Sequence, residues 1–313
     1  QDIDFPDEMI EQFEGPQLGI EGIRDLLGIH ERPLLGTIVK PKLGLNAREH
    51  SKVAYKAWKG GLDVVKDDEN LSSMKFNPFK ERIRRTLKMR KRVEKETGDE
   101  KVYMPNITAP VSLMKKRADF VIDNGGKYVM IDILTTGWSG FQEMRNYLEG
   151  KNIAIHCHRA GHAAFTRDPI HGISMLTIAK LTRLIGGDQL HIGTVDLGKM
   201  HGGKDEVLDI EREIESDKVE AHKQVLKEDW LGMKKTFAVA SGGLYPGVVP
   251  KLVERMGKDI VIQAGGGVHG NPDGTESGAR AMKQALDAAL NDIELSEYAK
   301  KHEELKKALE KWD

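Results

Sequence analysis

From Leu34 onward the chain alternates short apolar runs with longer amphipathic stretches. The apolar runs cover 35–39, 62–65, 102–107, 128–134, 153–155, 189–195, 237–240 and 260–263. They are rich in β-branched residues and lack the polar alternation of a half-solvated sheet, which predicts buried parallel strands. Between them, helical periodicity predicts helices over 46–59, 78–97, 112–124, 141–147, 173–185, 204–215, 248–256 and 274–292. Asn46 and Ser112 stand where N-caps are expected, and Gly98, Gly125, Gly186 and Gly257 stand where helices commonly stop. Eight βα units in succession predict an α/β fold of the TIM (β/α)8 barrel type over 34–292. An open doubly wound sheet is the rival, but its glycine-rich dinucleotide fingerprint is missing after the first run, where the chain reads KPKLGL.

Two segments fall outside this alternation. Residues 1–33 mix Pro6, Gly15, Gly19 and Gly28 with short helical patterns and form an expected lead-in arm. Residues 293–313 include a charged amphipathic helix, 295–312, expected to pack on the barrel exterior or at a subunit contact. A chain opening on Gln1 instead of Met is also expected to have had residues upstream.

Composition narrows the classes. Lys plus Arg (48) nearly cancels Asp plus Glu (49), so no nucleic-acid or anionic-membrane partner is implied, although a local cationic pocket is compatible with that balance. The single cysteine, Cys157, excludes an intrachain disulfide framework and a cysteine-rich zinc site, and suits a reducing cytoplasm. No stretch approaches the roughly 18 apolar residues of a membrane-spanning helix, and the opening residues lack the basic and apolar regions of a signal peptide.

In a barrel, functional side chains gather at the carboxyl ends of the strands, so the polar residues after each run form one inventory. The first run ends in Lys40 and Lys42, whose mutual repulsion makes one a plausible proton acceptor and the other a stabiliser of negative charge. The second runs into Lys66, Asp67, Asp68 and Glu69. Alternation puts Lys66 and Asp68 on one face of an extended segment, and Glu69 joins them only where the chain turns; the carboxylates suit a hard cation such as Mg²⁺. Asn106 and Thr108 follow the third run, and Asp132 interrupts the fourth and needs a partner if buried. The fifth leads into HCHRAGH, placing His156, His158, Arg159 and His162 together. Zinc competes there, since His156 and His158 share a face, but the carboxylates of the second run are the better hard-metal site; Arg159 suits a phosphate.

After the sixth run come His191 and GTVDLGKMHG, a glycine-rich loop with Lys199 near its middle, as in a lid that brings a positive charge onto substrate. The last two runs end in SGGLYPG, with Ser241, Gly242 and Gly243, and in QAGGGVHGNPDGT, with Gly265, Gly266 and Gly267. Backbone amides in such positions commonly cradle phosphate. Together these parts suit a phosphorylated sugar, proton removal beside a carbonyl and stabilisation of an enediolate. Aldolases, isomerases and enolases built on barrels use similar parts.

The motifs GTIVKPKLGL, GLDVVKDDEN, HCHRAGHAAFTRDPIHG, GTVDLGKMHG, SGGLYPG and GGGVHGNPDGT, in this order and spacing, closely resemble the large subunit of ribulose-1,5-bisphosphate carboxylase/oxygenase (RuBisCO). The loop between Thr194 and Lys199 and the segment HGISMLTIAKLTRLIG resemble the archaeal, form III type. The resemblance implies Mg²⁺-dependent carboxylation of ribulose 1,5-bisphosphate to two 3-phosphoglycerates, O₂ competing with CO₂, in AMP or nucleoside salvage. It further implies that Lys66, carbamylated by an activating CO₂, binds Mg²⁺ with Asp68 and Glu69. Lys40 would be the base at C3, Lys42 an assistant near the reacting centre, His158 a proton-transfer residue and Lys199 the mobile-loop lysine. Arg159 and His191 would hold one phosphate, Ser241, Gly242 and Gly243 the substrate, and Gly265 and Gly266 the other phosphate, with His162 adjacent. A homodimer, or an assembly of dimers, is the implied partner state. The family's N-terminal α/β domain, which completes a neighbouring subunit's site, is largely absent from this chain, removed or on a separate polypeptide. A RuBisCO-like enolase or isomerase, and a non-catalytic fragment, are the alternatives; retention of Lys40, Lys42, Lys66, His158, His191 and Lys199 argues against the first.

Overall fold

A computed structural model describes residues 2–168, 170–198 and 203–312. The eight βα units are present: β1 (Leu34–Ile38), α1 (Ala47–Lys59), β2 (Val64–Lys66), α2 (Phe79–Thr97), β3 (Val102–Met104), α3 (Val111–Asp123), β4 (Tyr128–Asp132), α4 (Trp138–Leu148), β5 (Ala154–His158), α5 (Met175–Ile185), β6 (Gln189–His191), α6 (Lys204–Glu215), β7 (Phe237–Ser241), α7 (Val249–Met256), β8 (Ile260–Gln263) and α8 (Thr275–Leu290). The strands run parallel in the order β3-β2-β1-β8-β7-β6-β5-β4. A further parallel bridge, Asn106 to Met130, joins the two ends of that order and closes the barrel. Its bonds are Ile107 N–H to Met130 O (3.1 Å) and Met130 N–H to Pro105 O (2.8 Å).

Local chemistry explains where elements start and stop. Asn46 caps α1 in a full capping box with Glu49. Ser112 does not cap α3: the helix begins at Val111 behind Pro110, whose fixed φ already sets the entry, and Ser112 lies in the first turn. The run 102–107 is interrupted at Pro105, which has no N–H to give to the ladder. The run 189–195 ends early, at His191, because Gly193, Val195 and Asp196 take positive φ values of 124°, 45° and 65° and turn the chain out of the sheet. Gly36 permits the close packing of β1, since a Cβ there would stand 2.4 Å from Val64 Cγ2.

The arm is more structured than its composition suggests. The helix Gly19–Leu27 lays Ile20, Ile23 and Leu27 against Leu34, Val64, Val102, Phe237 and Val261, and so stoppers the barrel at the amino ends of its strands. Asp188, just ahead of β6, accepts from the Leu18 and Gly19 amides (2.7 and 2.9 Å) and from Ile155 N–H (2.7 Å). The tail differs from the continuous helix expected over 295–312. It forms two, Leu295–Ala299 and Glu303–Trp312, the second packed on α8 with Leu305 and Ala308 buried. No helix among the described residues is long and apolar enough to cross a membrane.

Candidate active site

Strand register assembles the site. Ile38 pairs with Lys66, Lys66 with Met104, Asp132 with His158, His156 with Gln189, and Gln263 with Ser241. Chemistry-bearing residues far apart in sequence therefore reach the same level at the carboxyl ends of the strands. There they wall a cavity of about 540 Å³, to which Lys40, Lys66, Glu69, His158, Arg159 and His191 contribute, with Ser241 to Gly243 and Gly265 and Gly266 opposite.

The second strand end is the most densely bonded part. Lys66 is buried, with Nζ 3.0 Å from Asp67 O, 3.4 Å from Met130 Sδ and 3.7 Å from Glu69 Oε2. Burial lowers its pKa, against the opposing pull of Glu69, Asp68, Asp132 and Asp67. The expected sharing of a face by Lys66 and Asp68 is not what forms. The strand ends at Lys66, the chain turns, and it is Glu69 that meets the lysine. Asp68 Oδ2 instead pairs with Lys40 Nζ at 2.6 Å, and its Oδ1 accepts from the Asn70 backbone and side chain. Burial would raise the Asp68 pKa, but Lys40 and Asn70 hold it below its usual value.

Asp67 anchors this turn. It receives Arg82 Nε (3.1 Å), Tyr103 Oη–H (2.5 Å) and Asn106 N–H (3.0 Å), with His50 Nε2 at 3.1 Å. Burial alone would raise its pKa; Arg82, His50 and Tyr103 bring it to about 2. Asn106, whose amide also donates to Glu69 O at 2.9 Å, fixes the loop that presents Glu69.

The histidine motif separates into distinct environments. His158 Nδ1 lies 2.8 Å from Asp132 Oδ1 and its Nε2 is 3.6 Å from Glu69, so the buried Asp132 finds the partner it needs. His156 is wholly buried between Gln189 and His191. Burial lowers the pKa of Arg159 to about 10 despite Glu206, and that of His162 to about 4, with Arg159 and His158 adding repulsion.

Lys42 is exposed and takes no part in the cavity wall. Lys199 lies outside the described residues. The described part of its loop packs closely on the loop after β7, since a Cβ on Gly198 would stand 2.0 Å from Gly242 O. Three contributors had weak sequence signals. Asn70 lines the cavity; Gln189 is a polar residue opening an apolar run; His269 ties the segment after β8 to the end of β1 by its Nε2, 2.8 Å from Ile38 O and 3.0 Å from Thr37 Oγ1. The break in apolar pattern at Gln189, the same feature that marks Asp132, was the usable clue.

These features define a (β/α)8 barrel whose polar cavity, bearing lysine, carboxylate, histidine and arginine, sits at the carboxyl ends of the strands. The family model described as ribulose bisphosphate carboxylase large chain, catalytic domain, matches residues 19–312, and the chain belongs to that family. A ribulose bisphosphate carboxylase of Methanocaldococcus jannaschii is 55% identical over 313 residues, covering 99% of this chain and 73% of its own length. Among solved structures, a dimeric archaeal Rubisco from Hyperthermus butylicus superposes with a TM-score of 0.94 at 47% identity, covering 99% of this chain and 72% of that one. An octameric Rubisco from Pyrococcus horikoshii, in complex with sulfate ion, gives 0.92 at 49% identity, covering 99% and 70%.

Proposed function

We propose that this chain is the catalytic barrel of a ribulose-1,5-bisphosphate carboxylase of the archaeal, form III type. In this reading it adds CO₂ and water to the bisphosphate to give two 3-phosphoglycerates, with O₂ as competing electrophile, in AMP or nucleoside salvage. The observation that carries the reading is the buried amine of Lys66 beside Glu69 and one turn residue from Asp68. Carbamate formation requires a neutral amine: the N–C bond to CO₂ forms, an amine proton leaves, and a cationic side chain becomes an anionic oxygen donor. Burial favours the neutral amine.

Among the described residues no set of three His, Cys, Asp or Glu is arranged to hold a metal ion. Asp68 and Glu69 supply two carboxylates, and a carbamate on Lys66 would complete an oxygen set of the kind Mg²⁺ requires, so the residues fit the ion. When bound, Mg²⁺ would supply Lewis-acid polarisation of the sugar carbonyl. The residues' own part follows from their placement. Asp68 has to exchange its bond to Lys40 for a place in the ligand set, and Lys40, freed of its counter-ion, then acts as base on the C3 proton. His158, oriented through Nδ1 by Asp132, holds Nε2 3.6 Å from Glu69, where it would take part in proton transfer.

Arg159 and His191 would receive one phosphate end, Gly265 and Gly266 the other, and Ser241, Gly242 and Gly243 the sugar between them. Lys42 would assist near the reacting centre, Lys199 would take the loop-lysine role that the family resemblance implies, and His162 would border the site. A homodimer, alone or in an assembly of dimers, is the proposed partner state. Incubation of the full-length enzyme with labelled bicarbonate, ribulose bisphosphate and Mg²⁺ should yield acid-stable label in 3-phosphoglycerate; absence of label refutes the reading. Lys199→Ala should keep exchange of the C3 proton and lose carboxylation, and equal loss of both would remove its assigned role.

A further inference from the structure

Behind the cavity wall a buried chain of hydrogen bonds runs from Gln189 through His156 to His191. His156 Nδ1 is 2.8 Å from Gln189 Oε1, and His156 Nε2 is 2.9 Å from His191 Nε2. The two rings meet edge to face at 84°, and the pairing of His156 with Gln189 across β5 and β6 holds the far end in place. Burial lowers both histidine pKa values well below the ordinary range, so each ring carries one proton.

The donor and acceptor roles then follow in sequence. An amide oxygen only accepts, so the His156 proton is on Nδ1. Its Nε2 is therefore a bare lone pair, and the hydrogen in the bond between the rings belongs to His191 Nε2. Nδ1 is the remaining nitrogen of His191, and this ring forms part of the cavity wall. We propose that Gln189 and His156 are positioning residues that hold His191 in its Nε2–H tautomer, so that the nitrogen it offers the cavity is a hydrogen-bond acceptor. Resting on the substrate reading above, this narrows what His191 can receive. Its ligand is a donor, a sugar hydroxyl or a protonated phosphate oxygen, whereas fully deprotonated phosphate oxygens go to Arg159, which has donors only. The phosphate role implied for His191 by the resemblance leaves open which partner donates.

Nitrogen-15 NMR of the full-length, histidine-labelled enzyme tests this, with resonances assigned by single His→Gln variants. The expected result is Nδ1–H for His156 and Nε2–H for His191, each as a single tautomer. Nδ1–H on His191 overturns the proposal. In Gln189→Met the accepting oxygen is gone, and His191 should show both tautomers; a single unchanged tautomer there overturns the positioning role. Should that variant not fold, the native spectrum still decides the tautomer. Saturation with ribulose bisphosphate should shift His191 Nδ1 in the direction of a hydrogen bond accepted, and protonation of Nδ1 counts against the donor-ligand assignment. If the ligand moves none of the cavity histidines, the substrate reading fails instead, while the tautomers of the free protein stand.

Discussion

At the scale of single residues, the energetics turn on charges taken out of water. Among the described residues the ion-pair partner of Lys66 is Glu69, 3.7 Å away and partly exposed, and burial works against its ammonium form. Replacing it by Met keeps the shape of the side chain and removes the buried charge, which is commonly neutral or stabilising. Lys66→Met should therefore keep its thermal transition, with a stability change of no more than about 2 kcal/mol, while CO₂-dependent activation by Mg²⁺ disappears. Retained activation would exclude Lys66 as the carbamate. Glu211, on α6, is a separate case. One of its carboxylate oxygens is buried without a hydrogen-bond partner among the described residues, and burial raises its pKa from 4.5 to about 8, with Arg212 opposing and Asp259 adding to the rise. The folded state thus holds a proton that the unfolded chain releases, and stability from this group falls as pH rises from about 4.5 to about 8. Glu211→Gln should be close to neutral at pH 5 and stabilising at pH 8, by on the order of 4 kcal/mol at most, measured by urea unfolding at both pH values. An equal effect at the two would refute the assignment. Among site residues, Lys66, Asp68, Glu69 and the histidine motif were legible because charge at the end of an apolar run is locally anomalous. The Lys40–Asp68 pair was not, because it depends on where β2 stops and the chain turns, and apolar periodicity says little about a three-residue strand.

At the scale of elements, periodicity located all eight strands and their helices because each buries one continuous apolar surface, and the sign of that surface survives in any local window. What it missed depends on partners distant in sequence. The run 189–195 keeps Leu190, Ile192 and Val195 as its apolar positions, yet its second half leaves the sheet, with Val195 fully buried at a positive φ. The helix Gly19–Leu27 looked like part of an arm because its partners, Leu34, Val64, Phe237 and Val261, lie on four different strands. Arg24 adds contacts to Asp259 at 2.6 Å, to Lys258 O at 2.9 Å and to the Phe237 ring at 5.1 Å. This helix is therefore a structural component of the barrel floor. Ile23 is fully buried there, and Ile23→Ala should cost about 2–5 kcal/mol, read as a lowered denaturant midpoint with an unchanged m-value. A loss below about 0.5 kcal/mol, the usual range for surface positions, would mean that the helix does not seal the barrel. The substitution is remote from the cavity, so ligand affinity in the folded variant should hold.

At the scale of the molecule, the site exists only because the barrel is closed. Residues between Lys40 and Gly266 converge through strand register, and closure rests on the bridge from Asn106 to Met130, beside the same Asn106 that binds Asp67 and presents Glu69. The whole-chain order of motifs carried the family in sequence, whereas this shared dependence of closure and site on one asparagine appears only in three dimensions. It has a thermodynamic consequence. A ligand that bridges opposite sides of the cavity, Arg159 on one and the glycines after β7 and β8 on the other, binds the closed barrel and has no comparable site on the unfolded chain. At a hundredfold excess over its Kd, ribulose bisphosphate should stabilise the fold by about 2.7 kcal/mol, raising the Tm by a few degrees, about 4 °C for a chain of this size. Asn106→Ala removes the amide contact to Glu69 and keeps the Asn106 backbone N–H to Asp67, so it should lower the unliganded Tm modestly and shrink the ligand-induced rise as well. If the rise stayed at its full size in Asn106→Ala, the loop holding Glu69 would be uncoupled from substrate binding, and the side of the cavity built by β2 would have to be reassigned.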